Sequence, residues 1–477
     1  MIGKIVLKYK KMSTPIKASF WYTFCNFVQK GISFFVIPLY VRILTTAEYG
    51  EYSVFQSWRD ILIIFTSMNL YCGVYTKAMV DLPEERDRYT SSMQGLGCLF
   101  TGAYFILYLL FYDFWTTLFK MDYKVMLFLF LYFIFFPAFN FWSTRQRVEY
   151  KYRNMVVVTL LIAIATPLLS LLLLEFTTLR SKAVIYGYLI VQCSVGGYLF
   201  LKQFLKGKCF FDKQYWKHAL SFNIPLIPHY LSLIVLGQVD RIMIDSYCGP
   251  ESTGVYSFAY QIGYTINILI SAINGSRVPW TYEKLKERKY ASCTRVFNLL
   301  CGFMALIVVM ITLVSPEIIA VMATSEYSEA VYVIPVVALG IFFTFCYDLF
   351  STVEFYYSAT RFVMFASIIG AILNIALNAI FIPRFGYIAA AYTTMICYLV
   401  LTIMHLLFTR KVCEKNEVDL SNLYDIKALV KISIAVVGIV FIIMALYSMT
   451  IMRYGIILLL AMFLYKHRNK IEMIRKK

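Results

Sequence analysis

Apolar residues fall along this chain in about fourteen stretches, most of them close to 20 residues long, separated by short polar connections. A helix needs roughly 20 residues to cross the hydrocarbon core of a bilayer. Water is absent there, so the backbone has to satisfy its own hydrogen bonds. The pattern predicts an all-α, polytopic membrane protein. Its spans are expected at 19–41, 52–76, 92–112, 125–142, 155–176, 184–201 and 219–247. They continue at 255–275, 293–314, 331–352, 362–382, 388–408, 428–447 and 454–465. The longest connections, 202–217, 276–292 and 409–427, are too short to fold alone. These three read as amphipathic cytoplasmic segments, with the run from Trp280 to Lys286 lying along the headgroups. Any function must then sit between helices or at the membrane faces.

Composition agrees: 60% of residues are hydrophobic and 15% charged. A net charge of +18 would suggest a nucleic-acid partner in a soluble chain. Its distribution says otherwise. The N-terminal segment and every second connection carry about 33 Lys and Arg, the other set about 7. The positive-inside rule puts the basic set and both termini in the cytoplasm, with no nucleic-acid partner. The basic start (Lys4, Lys8, Lys10, Lys11) leads into a span too long for a signal-peptide core, so no cleavable signal is expected. Eleven cysteines stand singly and four histidines are scattered, a pattern of packing residues rather than of a metal site or disulfide framework. No metal or cofactor is expected.

A weak internal repeat is visible. Gly50-Glu51-Tyr52-Ser53 opens the second span and Gly254-Val255-Tyr256-Ser257 the eighth, six spans apart in the same orientation. Parallel duplication of a six-helix unit leaves this trace. The expected organisation is a six-helix lobe at 1–217, a second at 218–410, and an added helix pair with a basic tail at 411–477.

Ionisable side chains inside hydrocarbon are costly and mark sites by default. In the first span Asn26, Gln29, Lys30 and Ser33 share one helical face. Lys30, near mid-span, either lines a hydrophilic cavity or pairs with an acid such as Asp60. Arg59 and Asp60 in the second span, and Asp240 and Arg241 in the seventh, are adjacent opposite charges. Neighbours point about 100° apart on a helix, so each is expected to pair across helices. Asp240 and Arg241 suit a ring of ion pairs closing the outer end as well as they suit ligand contact. Ser367, Asn374 and Asn378 form a stripe in the eleventh span, where amides commonly bond helix to helix. Asp348, Glu354 and His405 either relay protons or pair with Arg361. Pro38, Pro225, Pro228 and Pro335 are expected inside helices, each allowing a bend.

Three stretches resemble the polysaccharide exporter family, the Wzx-type flippases of O-antigen and capsule repeat units, within the superfamily that also holds MATE multidrug exporters and the lipid II flippase. The first runs from Ile37-Pro38-Leu39-Tyr40-Val41-Arg42-Ile43-Leu44 to Glu48-Tyr49-Gly50-Glu51-Tyr52, with Thr45 where the family often has Gly. The second holds Asn223-Ile224-Pro225-Leu226-Ile227-Pro228-His229, Asp240-Arg241-Ile242-Met243-Ile244 and Gly254-Val255-Tyr256-Ser257-Phe258-Ala259-Tyr260. The third holds Leu373-Asn374-Ile375-Ala376-Leu377-Asn378 and Ile382-Pro383-Arg384-Phe385-Gly386-Tyr387-Ile388-Ala389-Ala390-Ala391.

The resemblance implies a two-lobed, V-shaped carrier that moves an undecaprenyl-diphosphate-linked oligosaccharide to the outer leaflet of a bacterial plasma membrane by alternating access. Family-typical positions are Arg42, Asp240, Arg241, Asn374 and Asn378. Membrane lipids, a glycan polymerase and a chain-length regulator are the implied partners. Candidate cavity residues are Asn26, Gln29, Lys30, Arg59, Arg241, Asn374 and Asn378; candidate gating or ion-coupling residues are Asp60, Asp240, Asp348, Glu354 and His405. No bond is made or broken in such a process, so no catalytic residue is expected. The rivals are a MATE-like cation antiporter, whose cavity should be acidic or apolar, and a membrane glycan polymerase or acyltransferase, which would carry an acid/base constellation.

Overall fold

The computed structural model describes residues 12–466. Lys4, Lys8, Lys10 and Lys11, and the basic tail after Lys466, lie outside them. All regular structure among the described residues is helical. In chain order the helices are α1 (Thr14–Ile43), α2 (Thr46–Ser67), α3 (Val74–Asp81), α4 (Arg86–Leu110), α5 (Tyr112–Phe119), α6 (Tyr123–Val148), α7 (Tyr152–Phe176), α8 (Ser181–Gly207), α9 (Lys213–Asn223) and α10 (Ile227–Cys248). They continue with α11 (Pro250–Tyr264), α12 (Ile266–Lys286), α13 (Tyr290–Met322), α14 (Ile334–Tyr356), α15 (Thr360–Phe385), α16 (Ile388–Lys415), α17 (Leu420–Leu423), α18 (Ile426–Ala445) and α19 (Thr450–Lys466). Among the described residues, 11 helical segments are long and apolar enough to cross a membrane. The other three expected spans fall short for local reasons. Four ionisable side chains (Glu48, Glu51, Arg59, Asp60) lie on α2, the eighth span breaks at Thr265 between α11 and α12, and α19 is short.

Several boundaries move. The helices run on through charged residues that the hydropathy pattern assigns to connections. Thus α8 reaches Gly207, α16 reaches Lys415, and α12 continues to Lys286 with Arg277, Thr281 and Leu285 buried. The segment from Trp280 to Lys286 is the last part of a packed helix rather than a separate connector. Charge ends a hydrophobic window without ending a helix, because Lys, Arg and Glu are good helix formers. The second span stops early, at Ser67, where Met68 and Asn69 turn left-handed (φ 48° and 50°). Of the four expected internal prolines, only Pro38 lies within an α-helix. Pro225 falls in a short 3₁₀ turn, and Pro228 and Pro335 sit in the first turn of α10 and α14, where the missing N–H costs nothing. Pro137, Pro167, Pro279, Pro316 and Pro383 are the other internal ones.

The chain forms two compact units, Met1–Gly254 and Val255–Lys477. Packing groups α10 with the first unit, whereas the repeat-based boundary at 217/218 groups it with the second; one division follows contact, the other duplication. In the first unit α1 packs on α7, α7 on α8, α8 on α6 and α4, and α2 on α10. Its interior is aromatic, with Phe55, Tyr108, Phe130, Tyr132 and Phe133 in one cluster and Tyr75, Tyr89 and Phe141 in another. In the second unit α14 is the central helix, flanked by α16, α13 and α12, while α15 packs on α16 and α18 on α13. The most apolar window of α14 is 83% buried, against 22–50% for the other spans, which keep a face for lipid.

Two local devices fix the helix starts and crossings. Thr45 caps α2: its hydroxyl accepts from the Glu48 amide at 3.2 Å, and the Glu48 carboxylate accepts from the Thr45 amide at 2.9 Å. The unusual residue at 45 thus makes its own turn. Burial works against the Glu48 charge, but Arg180 (2.8 Å) and the Thr45 amide outweigh it and hold the carboxyl below its ordinary value. Gly50 and Gly254 each stand in the second turn of their helix. A Cβ on Gly50 would come within 2.0 Å of the Pro250 carbonyl oxygen, and one on Gly254 equally close to that of Thr46, all four residues lying in the first unit. Small residues let membrane helices approach this closely.

Where helices approach this closely, a single methyl group should be felt. A Cβ at Gly187 on α8 would lie 2.7 Å from the Ser170 backbone of α7, whereas one at Gly97 meets nothing within 4 Å. Gly187→Ala is expected to cost about 1–3 kcal/mol, and Gly97→Ala to be neutral or slightly stabilising. Thermal unfolding in detergent checks both. A second expectation concerns pH. Because the Glu48 pKa is lowered on folding, its contribution is present above the ordinary glutamate value of 4.5 and is lost as pH falls below it through the lowered folded-state value. The melting temperature of the wild type should drop more over that window than that of Glu48→Gln.

Candidate functional site

In the first unit, polar side chains from α2, α6, α8 and α10 meet inside otherwise apolar helices. Arg59 donates from Nε and Nη2 to Asp60 Oδ1 at 2.9 and 2.7 Å. Its guanidinium carbon lies 4.7 Å from the centre of the Tyr188 ring, close enough for a cation–π contact. The Tyr188 hydroxyl is 3.1 Å from that of Tyr132. The other oxygen of Asp60 accepts from Gln238 Nε2 at 3.2 Å. Gln238 Oε1 accepts from Arg241 Nη1 at 3.0 Å and from the Ser57 hydroxyl at 3.3 Å. Arg241 Nη1 also donates to the Gly237 carbonyl at 2.7 Å.

The neighbours Arg59 and Asp60 therefore bond to each other, against the expectation that each would reach across helices. An arginine side chain is long enough to fold over the 100° between adjacent positions, and leaving a guanidinium without a counter-charge in hydrocarbon costs more than bending it. The cross-helix link runs instead through Gln238, from Asp60 to Arg241. The pair is not sealed: the side chains are 13% and 30% exposed. Asp240 is fully buried and Arg241 nearly so. On α1, Asn26, Lys30 and Ser33 are exposed and Gln29 half-buried, while Cys25 is buried. Arg42, near the end of α1, is exposed.

The second unit holds three further polar groups. Asn374 and Asn378 are fully buried. Asn374 donates to Thr394 at 2.9 Å, Asn378 donates to Asn374 at 3.2 Å, and Thr393 donates to Asn378, so the amides bond α15 to α16. Ser367 donates to the Val363 carbonyl of its own helix. Asp348 accepts from Asn274 at 3.0 Å; Asn274 in turn accepts from Arg277 at 2.9 Å. Glu354 meets His405 at 2.8 Å and accepts from Thr409 at 2.9 Å, and it does not pair with Arg361, which is exposed at the start of α15. Among the described residues no cluster of His, Cys, Asp or Glu could hold a metal ion.

Gln238, Tyr132, Tyr188, Asn274, Arg277, Thr393, Thr394 and Thr409 were not among the sequence candidates. Three had a readable signal. Gln238 with Arg241, and Asn274 with Arg277, are i, i+3 polar pairs within apolar runs. The tyrosines and threonines matter only through partners on other helices, which no single span displays.

A model of the polysaccharide biosynthesis protein family matches residues 16–285. The chain belongs to that family. The MatE family model matches residues 225–380, which places the chain in the MOP superfamily. An uncharacterized membrane protein of Haemophilus influenzae is 26% identical over 394 residues, covering 79% of this chain and 93% of that one. The Lsg locus putative protein 1 of the same species is 25% identical over 283 residues, covering 54% and 64%. Among solved structures, the lipid II flippase MurJ in an inward closed conformation superposes with a TM-score of 0.64 at 18% identity, covering 94% of this chain and 99% of that one. An inward-facing MATE multidrug transporter also scores 0.64, at 12% identity, covering 81% and 95%. At those identities the likeness is one of fold. The family member is thus a multi-pass membrane protein with the MOP transporter fold.

The Arg59–Asp60 pair is the testable core of the site. Because both side chains are partly accessible, Asp60→Asn should cost about 1–3 kcal/mol, and a cycle with Arg59→Met should show a coupling of about 1 kcal/mol or more. Thermal unfolding of the two single variants and the double variant measures it; strictly additive effects would contradict the bond.

Proposed function

We propose that this protein is a flippase that carries an undecaprenyl-diphosphate-linked oligosaccharide, a repeat unit of O-antigen, capsule or a related surface glycan, from the cytoplasmic to the outer leaflet of a bacterial plasma membrane. The observation that carries the reading is the partly open Arg59–Asp60–Gln238–Arg241 network with its two tyrosines. A diphosphate and a sugar chain cannot enter hydrocarbon unaided, since each polar group left without a partner costs several kcal/mol. Guanidinium groups offer charge-assisted, forked hydrogen bonds to phosphate oxygens. Amide and phenol groups match sugar hydroxyls, and tyrosine rings match sugar faces. Lys30 and the exposed polar face of α1 extend the same chemistry, and the polyprenyl tail stays in lipid. Both termini lie in the cytoplasm on the charge bias, and a glycan polymerase and chain-length regulator are the partners such a product would meet.

One observation favours a second reading. Asp60, 30% exposed, is an accessible carboxylate of the kind a MATE-like cation antiporter would use. Lys30 discriminates. Under the flippase reading, Lys30→Ala at wild-type membrane levels abolishes surface glycan, measured by blotting cells deleted for the native copy. Under the antiporter reading glycan is unchanged and drug efflux on overexpression depends on Asp60.

A further inference from the structure

Glu354 on α14 and His405 on α16 form the most deeply enclosed acid–imidazole pair among the described residues, 0% and 3% exposed. Glu354 Oε2 and His405 Nδ1 are 2.8 Å apart, and Thr409 Oγ1 donates to the other oxygen at 2.9 Å. The Tyr347 ring stacks on the imidazole at 5.3 Å and Phe362 meets it edge-on at 5.8 Å. Those rings close the pocket and fix the imidazole plane. Every element packed around the pair supplies identifiable groups. Asp348 lies on α14 itself, Arg277 approaches from α12, Cys413 stands one turn beyond Thr409 on α16, and buried Tyr424 follows α17. The α15 side offers Phe362 and the exposed Arg361, and α13 offers Cys293 and Cys301. Among the described residues, no lysine or arginine bonds to either member of the pair.

We infer that the Glu354–His405 pair is a proton-binding site that couples transport to a pH gradient; the coupling, though not the site, rests on the flippase reading. With one proton between them the carboxylate and imidazole have no net charge and can stay sealed. Removing that proton leaves a net negative charge in a dry pocket, held by the Nδ1–H of the neutral imidazole and the Thr409 hydroxyl, which is expensive unless water enters. Loss of the proton therefore favours separation of α14 from α16, and gain of it favours closure. The exit is short. Glu354 lies two residues before the end of α14, its carbonyl accepts from Ala359 in the following turn, and that turn belongs to the basic, cytoplasmic set of connections.

Histidine titration by ¹⁵N NMR of the purified protein in nanodiscs tests the site without any substrate, with His405 assigned by its loss in His405→Asn. In a scan from about pH 5 to 8.5 the expected result is a change in the His405 signal that is displaced in Glu354→Gln. An imidazole that stays in one state over that range, or titrates identically in Glu354→Gln, overturns the site. Coupling is read in proteoliposomes with a fluorescent polyprenyl-diphosphate disaccharide. A one-unit gradient should raise wild-type accumulation in the acidic-side leaflet up to about tenfold for one proton. Glu354→Gln and His405→Asn should show no rise while keeping gradient-free exchange; a rise in either variant overturns the coupling. Wild-type protein that moves none of this lipid overturns the flippase reading and the coupling built on it, while the histidine titration still decides the site.

Discussion

The structure is governed by what hydrocarbon does to a polar atom. In water an unpaired amide or carboxylate costs little; inside a bilayer it costs several kcal/mol, and a charge costs more. The charged and amide side chains at the centre of these helices accordingly occur in bonded sets. Arg59 and Asp60 neutralise one another and are tied to Arg241 by the two ends of the Gln238 amide. Asn374 and Asn378 are satisfied by each other and by Thr393 and Thr394. Arg277 and Asp348 are held by the two ends of Asn274. In two of these sets the same device recurs: a primary amide donates to an acid and accepts from an arginine. It spares the charges direct contact and lets the set span two helices.

That constraint also explains what a sequence can and cannot disclose. The spans are legible because each must be apolar over a length fixed by the membrane, and positions such as Asp348, Glu354 and His405 stand out against that background. Helix ends are less legible. Arg277 looks like the start of a connection because it is charged, yet α12 carries it on to a buried position beside Asn274. Partnership is least legible of all. Nothing local says that Glu354 turns to His405, some 50 residues away, rather than to nearby Arg361; only the packing of α14 on α16 decides it. Thr45 shows the reverse case, a departure from family habit whose consequence, a capping box with Glu48, can be read within four residues.

The internal pairing of Arg59 with Asp60 bears on how a carrier must bind. An unpaired cation in a low-dielectric cavity would hold a diphosphate tightly, and tight binding to one state is of no use to a protein that must let go on the other side. In the Arg59–Asp60 pair the carboxylate occupies the guanidinium, and under the proposed flippase reading an incoming anion would compete for it. Binding then exchanges one ionic partner for another instead of creating a new pair, so affinity reflects the difference between them. Gln238 can follow either partner, since an amide both donates and accepts. Under the proposed flippase reading, a site built this way would select for phosphate geometry while remaining reversible.

The two units share their helical architecture but not their polar chemistry. The first concentrates arginine, tyrosine and a half-open carboxylate, suited to contact with something that comes and goes. The second hides amides, hydroxyls and an acid–imidazole pair around α14, the most buried helix among the candidate spans. Buried pairs of that kind gain nothing over apolar packing in stability alone, because desolvation offsets their attraction. If the pair binds a proton as inferred above, its position beside a central helix makes the packing of α14 against α16 depend on how many protons it holds. Separating ligand contact from the titrating group has a physical advantage. A proton site beside the diphosphate would have its occupancy dictated by the substrate's own charge, whereas one enclosed within a different unit responds to the pH of the compartment to which it opens.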